Sequence, residues 1–138
     1  MCGCKGKCGC NITSTTKGEK GDASPEATLG YKVYVALLSQ SGTSAPTVTV
    51  LQNTLGGAIS WTYNGVGTYN GTLNGVFIAS KTFFTINKSR ASGRQFSLYR
   101  NNDNEIEVVT EIFDAGAPIF TATDGVLNNT SILIEVYP

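Results

Sequence analysis

Three Asn-Gly pairs, Asn64-Gly65, Asn70-Gly71 and Asn74-Gly75, fall within twelve residues of this chain. Both residue types tolerate positive φ, which makes the pair a preferred centre for tight hairpin turns. A helix does not survive that density of turn formers, because asparagine and glycine both lower helix stability. The segment therefore reads as short strands between turns, and the rest of the chain from Tyr31 onward follows the same pattern. No stretch carries apolar residues at a 3.6-residue period. Eight to ten short strands at this spacing predict an all-β chain, an antiparallel sandwich or jelly-roll-like domain.

The individual strands can be placed. Tyr31–Ser39 (YKVYVALLS) is apolar on both faces, with Tyr31, Val33, Val35 and Leu37 on one side and Tyr34, Ala36 and Leu38 on the other. Such a strand is expected to be buried twice, centrally or between subunits. Thr47–Gln52 is expected to turn Val48 and Val50 inward, and 58–64 to align Ile59, Trp61 and Tyr63. Tyr69–Leu73, Val76–Ser80 and Thr82–Asn87 follow as strands, and then a basic loop, Lys88–Arg94. Gln95–Arg100 and Glu105–Phe113 form an expected hairpin around Asn101–Asn104. Opposing Arg100 to Glu105 also opposes Arg94 to Glu111, so a single register predicts two ion pairs. Pro118–Thr123 and Ser131–Tyr137 close the domain, with Ile132, Ile134 and Val136 on one face.

The first 28 residues are a different kind of sequence, an expected N-terminal tether preceding a domain over 29–138. All four cysteines of the chain, Cys2, Cys4, Cys8 and Cys10, lie in its first ten residues among glycines and lysines. Their C-x-C-x3-C-x-C order allows four thiolates to wrap one zinc ion, and the C-x-C pairs are similar to those of metallothionein. Structural zinc sites more often use C-x2-C, so two other readings stand beside it: interchain disulfides or a docking knot where several chains converge, and an inert reduced leader. Bridges within Cys2/Cys4 or Cys8/Cys10 would be strained. Gly18-Glu19-Lys20-Gly21-Asp22-Ala23 makes two Gly-X-Y triplets, the repeat that lets three chains wind about a crowded axis. Two triplets are too few to hold a triple helix, and an ordinary polar linker is the other reading.

Composition excludes several classes. Ten basic and ten acidic residues leave no net charge, so neither a nucleic acid nor an anionic membrane is an expected partner. Apolar runs fall far short of the roughly 20 residues that span a bilayer, and no apolar stretch near the start resembles a secretory signal. The chain is expected to be soluble and made in a cytoplasm. It contains no histidine, which removes the commonest general base and metal ligand. No catalytic residue and no bound cofactor other than the zinc reading is expected.

Some weaker patterns have ordinary explanations. Lys81, Lys88, Arg90, Arg94 and Arg100 precede a purely acidic stretch; salt bridges on a solvated face account for this more simply than a phosphate or glycan site. Glu105 and Glu107 beside Asn101–Asn104 could hold calcium, but match no standard loop. Asn-x-Ser/Thr at Asn11, Asn70, Asn87, Asn128 and Asn129 is what a chain rich in these residues produces by chance. Trp61, Tyr63 and Tyr69 could stack on sugars if exposed, whereas alternating strand aromatics usually face a core.

The stretches YKVYVALLSQSGTSAPTVTVLQNTLGG, ISWTYNGVGTYNGTLNG and KTFFTI, between Tyr31 and Ile86, resemble a module of tailed-phage virion proteins, in particular head or tail fibre components of crAss-like and related phages of gut Bacteroidota. The charged Glu-Lys-Gly-Asp order also resembles the collagen-like pieces of phage fibres. The resemblance covers about half of the chain and carries no catalytic motif, so no site residue follows from it. It implies a structural virion protein, a capsid-attached head fibre or decoration protein made in the host bacterial cytoplasm. Such a protein would dock through its tether onto the capsid or a second fibre protein and form a homo-oligomer, trimer before dimer. A carbohydrate-binding module is the alternative from another class; an enzyme ranks below both.

Overall fold

The structure is a computed structural model that describes residues 30–87 and 93–138. It contains nine strands: β1 (Lys32–Ser39), β2 (Thr47–Asn53), β3 (Ser60–Gly65), β4 (Thr68–Thr72), β5 (Thr82–Ile86), β6 (Arg94–Asn102), β7 (Glu105–Asp114), β8 (Ile119–Ala122) and β9 (Thr130–Val136). They form two antiparallel sheets, one ordered β2-β1-β9-β5 and the other β3-β4-β7-β6, with β8 pairing the far half of β7. The sheets pack face to face as a sandwich, and the all-β reading holds. The four cysteines, Lys88 and Arg90 lie outside the described residues.

The core follows from strand periodicity. Tyr34, Ala36 and Leu38 of β1 pair across the sheet with Ile134, Ile132 and Thr130 of β9, and Ile134 and Ile132 pair onward with Phe84 and Ile86 of β5. From the facing sheet come Tyr69, Ile106, Val108 and Phe96, and the connections contribute Leu55, Phe77, Val126 and Leu127 to the same cluster. Each fully buried side chain of this size contributes roughly 1.5–3 kcal/mol of transfer free energy. Val136 lies at the margin of the cluster, on the face it shares with Ile132 and Ile134.

Four expectations need correction. Asn70-Gly71 is not a turn but lies inside β4, opposite Thr62 and Trp61 on one side and Glu107 and Ile106 on the other. Gly71 serves there by its lack of a side chain: a Cβ would sit 3.0–3.1 Å from Ile59, Ile106 and Trp61. The β3–β4 turn is instead Val66-Gly67, with Gly67 at φ +66°. Val76–Ser80 is no strand. The chain is crossing between sheets there, and the Phe77 N–H donates to Asp103 O (2.8 Å) in the β6–β7 turn. Val50 is half exposed although it pairs with Ala36, because β2 is an edge strand whose register slips opposite Val35/Ala36.

The β6–β7 register differs as well. Asp103-Asn104 is the two-residue turn, Asn102 opposes Glu105, and an irregularity between Arg100 and Asn102 puts Arg100 opposite Ile106. A one-residue slip moves a side chain to the other face of a sheet. Arg100 accordingly donates to Phe77 O and pairs with Asp103, the one ion pair among the described residues. Arg94 opposes Ile112, and Gln95 takes the place facing Glu111.

The sandwich has two unlike ends. The start of β1, the start of β5 and the end of β9 share one end, since Lys32 and Thr82 both pair with Val136. Gln40, the Gly67 turn and the β7–β8 hairpin lie at the other. Gly67 is confined twice there, by its left-handed φ and by backbone that would lie 2.5 Å (Thr110 O) and 2.7 Å (Thr123 N) from a Cβ. Gly67→Ala is expected to cost more than about 2 kcal/mol, strain and clash adding. Gly75→Ala, at a similar φ but facing open space, is expected to cost about 1 kcal/mol. Urea unfolding of the two variants checks the difference.

Candidate functional site

Two features stand out once the fold is in place. The first is a polar tie between the sheets at the end away from Lys32. Asp124, in the connection from β8 to β9, accepts from the Gly67 N–H (2.7 Å), the Tyr63 hydroxyl (3.0 Å) and the Tyr69 hydroxyl (3.0 Å). Tyr69 is fully buried in β4, and its single hydroxyl proton is also within reach of Gln40 Oε1 (2.9 Å), just past the end of β1. Gln40 Oε1 accepts from the Gly125 N–H (2.6 Å), while its Nε2 donates to the Gly42 and Ser44 carbonyls. Thr110, on the inward face of β7, donates to Thr123 O (2.7 Å) and binds β8's exit to the Gly67 turn. Strands β3 and β4, the end of β1 and the β1–β2, β3–β4 and β8–β9 connections thus meet on one carboxylate and one amide.

The electrostatics follow from this geometry. The Gly67 N–H, together with the Tyr63 and Tyr69 hydroxyls, holds the Asp124 carboxyl below its ordinary value against the opposing effect of desolvation. Burial pushes the Tyr69 hydroxyl well above its ordinary value, and Asp124 adds to the rise; Tyr63 is raised by the same two causes. This is a neutral-phenol, ionised-carboxylate pairing, suited to holding structure and not to moving a proton near neutrality.

The second feature is the contrast between the outer faces of the two sheets. Outward positions of the β2-β1-β9-β5 sheet carry Val35 and Leu37 on β1, Leu133 on β9 and Phe83 on β5, with Val33 of β1 on the same side but buried, in rows with Glu135, Thr85, Gln52, Ser131 and Thr49. The corresponding rows of the other sheet read Thr62, Asn70, Glu107 and Tyr99, then Ser60, Thr72 and Glu105. One outer face is apolar along its middle; the other is polar and acidic. At the far tip, the β7–β8 hairpin exposes Phe113, Ile119 and Phe120, with the two phenylalanine rings 5.4 Å apart.

The residues singled out from sequence are distributed as follows. Cys2, Cys4, Cys8 and Cys10, the zinc or disulfide candidates, lie outside the described residues. Trp61, Tyr63 and Tyr69 all turn toward the core; Tyr69 is fully buried, and the Trp61 indole nitrogen is buried too. The Asn101–Asn104 oxygens close turns: Asn102 Oδ1 accepts from the Asn104 N–H, and Asn104 Oδ1 accepts from the Gly75 N–H. Asn101 donates to Glu105. Among the described residues no three Cys, Asp or Glu side chains gather as a metal site would require. Gln40, Thr110 and Asp124 were not legible as partners from sequence. Thr110 was the available signal, a polar residue in register with Ile106, Val108 and Ile112.

No protein-family model matches this chain, and neither does any curated protein or solved structure.

The tie makes stability depend on pH at both ends of the scale. Folding favours ionised Asp124, so its contribution is whole above about pH 3.9 and is lost as pH falls through the depressed folded value. Folding favours neutral Tyr63 and Tyr69, so their contribution is whole below about pH 10 and is lost as pH rises toward their raised values. Thermal unfolding across pH is expected to show a flattened acid limb in Asp124→Asn and a flattened alkaline limb in Tyr63→Phe/Tyr69→Phe. At neutral pH, Tyr69→Phe alone is expected to cost about 1–3 kcal/mol, because it removes a hydrogen bond to the charged Asp124 carboxylate, within reach also of Gln40 Oε1.

Proposed function

We propose that this chain is a non-enzymatic structural component of a tailed-phage virion. It would be a capsid-attached head fibre or decoration subunit that docks through residues 1–28 and forms a homo-oligomer, a trimer by preference. The observation that carries the reading is the axial polarity of the sandwich. Residues 1–29 lead into β1 at the same end where β9 and the C-terminus leave, with Lys32 opposite Val136. The β1–β2, β3–β4 and β7–β8 connections lie at the opposite end, away from the tether. The β2–β3, β4–β5 and β6–β7 connections stay at the end of Lys32 and Val136, and a subunit held at that pole and projecting the other three from the opposite one has the geometry of a surface attachment.

Three further points support it. The resemblance of 31–86 to phage fibre modules agrees with a domain built wholly of strands. The cysteine-rich, glycine-rich leader suits a docking or cross-linking segment. The polar tie at the outer pole is built for rigidity, and its groups are spent on one another. The carbohydrate-binding alternative gains no support from Trp61, Tyr63 and Tyr69, which turn toward the core.

Deleting residues 1–28 is expected to leave a folded domain that no longer enters particles. Far-ultraviolet circular dichroism and melting of the purified truncated chain would test the first half. Its copy number in purified virions would test the second, and normal incorporation of the truncated chain would sink the tether reading.

A further inference from the structure

We propose that the outer face of the β2-β1-β9-β5 sheet is the surface on which copies of this chain meet. The inference rests on the oligomeric part of the reading above, and is independent of where the assembly resides.

An antiparallel sheet with one solvated face normally alternates apolar-in and polar-out, as β7 largely does with Glu105, Glu107 and Glu111 outward and Val109 the single apolar residue among them. β1 breaks that rule along its length. Val35 and Leu37 point away from the core and are half-buried, as is Leu133, which adjoins Val35; Val33 takes the same side of the strand but is buried, and Phe83 lies in its row at 54% exposure. Leu51, at the irregularity of the edge strand β2, is 60% exposed. Contiguous apolar surface flanked by polar rows marks an interaction face.

Residues 1–29 contain Met1, Ile12 and Leu29 as their only large aliphatic side chains, and 88–92 contain none. The face itself offers little to a charged partner. Glu135 is the one charged residue in its central rows, and it accepts a hydrogen bond from the Tyr137 hydroxyl (3.0 Å). What remains is a largely uncharged surface suited to its own kind.

The leader selects that occupant. Its Gly-X-Y triplets end at Ala23, and eight residues separate them from β1 at Lys32. Even fully extended, those residues reach about 28 Å. Leaders that converge therefore hold the β1 strands of their copies within tens of ångströms, an effective concentration on the order of millimolar. The strand delivered first is the one that carries two of the part-exposed outward apolar side chains, Val35 and Leu37.

Sedimentation of the full chain, in reductant and chelator so that neither disulfides nor metal can hold it, tests this. The expected result is an oligomer of the 14.6 kDa chain, with three copies as the expected number. Phe83→Lys/Leu133→Lys is expected to raise its dissociation constant at least 100-fold, while Tyr99→Lys, 52% exposed on the other sheet, leaves it unchanged. A second measurement avoids any variant that fails to fold. Thr85→Cys, on the proposed face, should react with a maleimide at least tenfold more slowly than Thr72→Cys, on the other sheet's outer face. A monomer at tens of micromolar, an oligomer that dissolves in reductant or chelator, an oligomer that survives the double lysine variant, or equal labelling at the two cysteines would each overturn the proposal. A dimer broken by the same lysines supports this interface and overturns only the threefold count. Absence of the wild-type chain from purified particles would remove the virion reading and leave the sedimentation result standing.

Discussion

The pairing of the first strand with the last organises this domain. β1 and β9 run antiparallel over Lys32–Leu38 and Thr130–Val136, in the middle of their sheet, and every other strand of that sheet adds to one of these two. The pairing brings the start of β1 and the end of β9 to one pole, with the β1–β2, β3–β4 and β7–β8 connections at the other. It also sets which side chains face the opposite sheet, because a register shift of one residue would exchange Tyr34, Ala36 and Leu38 for Val33, Val35 and Leu37. Since both sets are apolar, burial alone would not choose strongly between them. Size and partners do: Ile132, Ile134, Phe84 and Ile86 form one continuous inner surface with the first set.

What closes the sandwich differs between its poles. Near the termini it is largely apolar, with Phe77 carried across by the β4–β5 connection to meet Phe84, their ring centroids 6.4 Å apart. At the far pole it is polar, with Asp124, Gln40 and the Tyr69 hydroxyl joining strands and connections of both sheets. Buried polar groups are tolerable only when they are satisfied, and here turn N–H groups and phenols supply the donors. Geometry of this kind restrains the loops that project from the pole. It suits a domain whose work is to hold a shape at the end of a tether, which is the function proposed for it.

Most of the strands were legible because the signal is local. Alternation in 131–137, the alternating Ile59, Trp61 and Tyr63, and the turn residues between them each depend on a few neighbours. Asn70-Gly71 misled for the same reason. Its composition is that of a turn, yet the glycine is there because Trp61 needs the space, a fact about β3 and β7 and not about the pair itself. The Arg100–Glu105 pairing failed on one residue, since the irregularity before Asn102 has no local signature. The polar tie was invisible, its members Gln40, Tyr69, Thr110 and Asp124 being spread along the chain and meaningful only together.

From the sequence by itself came the all-β class, the absence of histidine chemistry, the confinement of cysteine to the leader and the doubly apolar character of 31–39. Those are properties of composition and short-range period, which no packing arrangement can change. Tertiary structure alone decided which face of that strand is core and which is left outward, because only the opposing sheet distinguishes Tyr34 from Val35. It also decided that the leader enters beside the C-terminus and that one outer face is apolar while the other is acidic. Both follow from β1 pairing with β9, a contact between the two ends of the domain that no local pattern encodes.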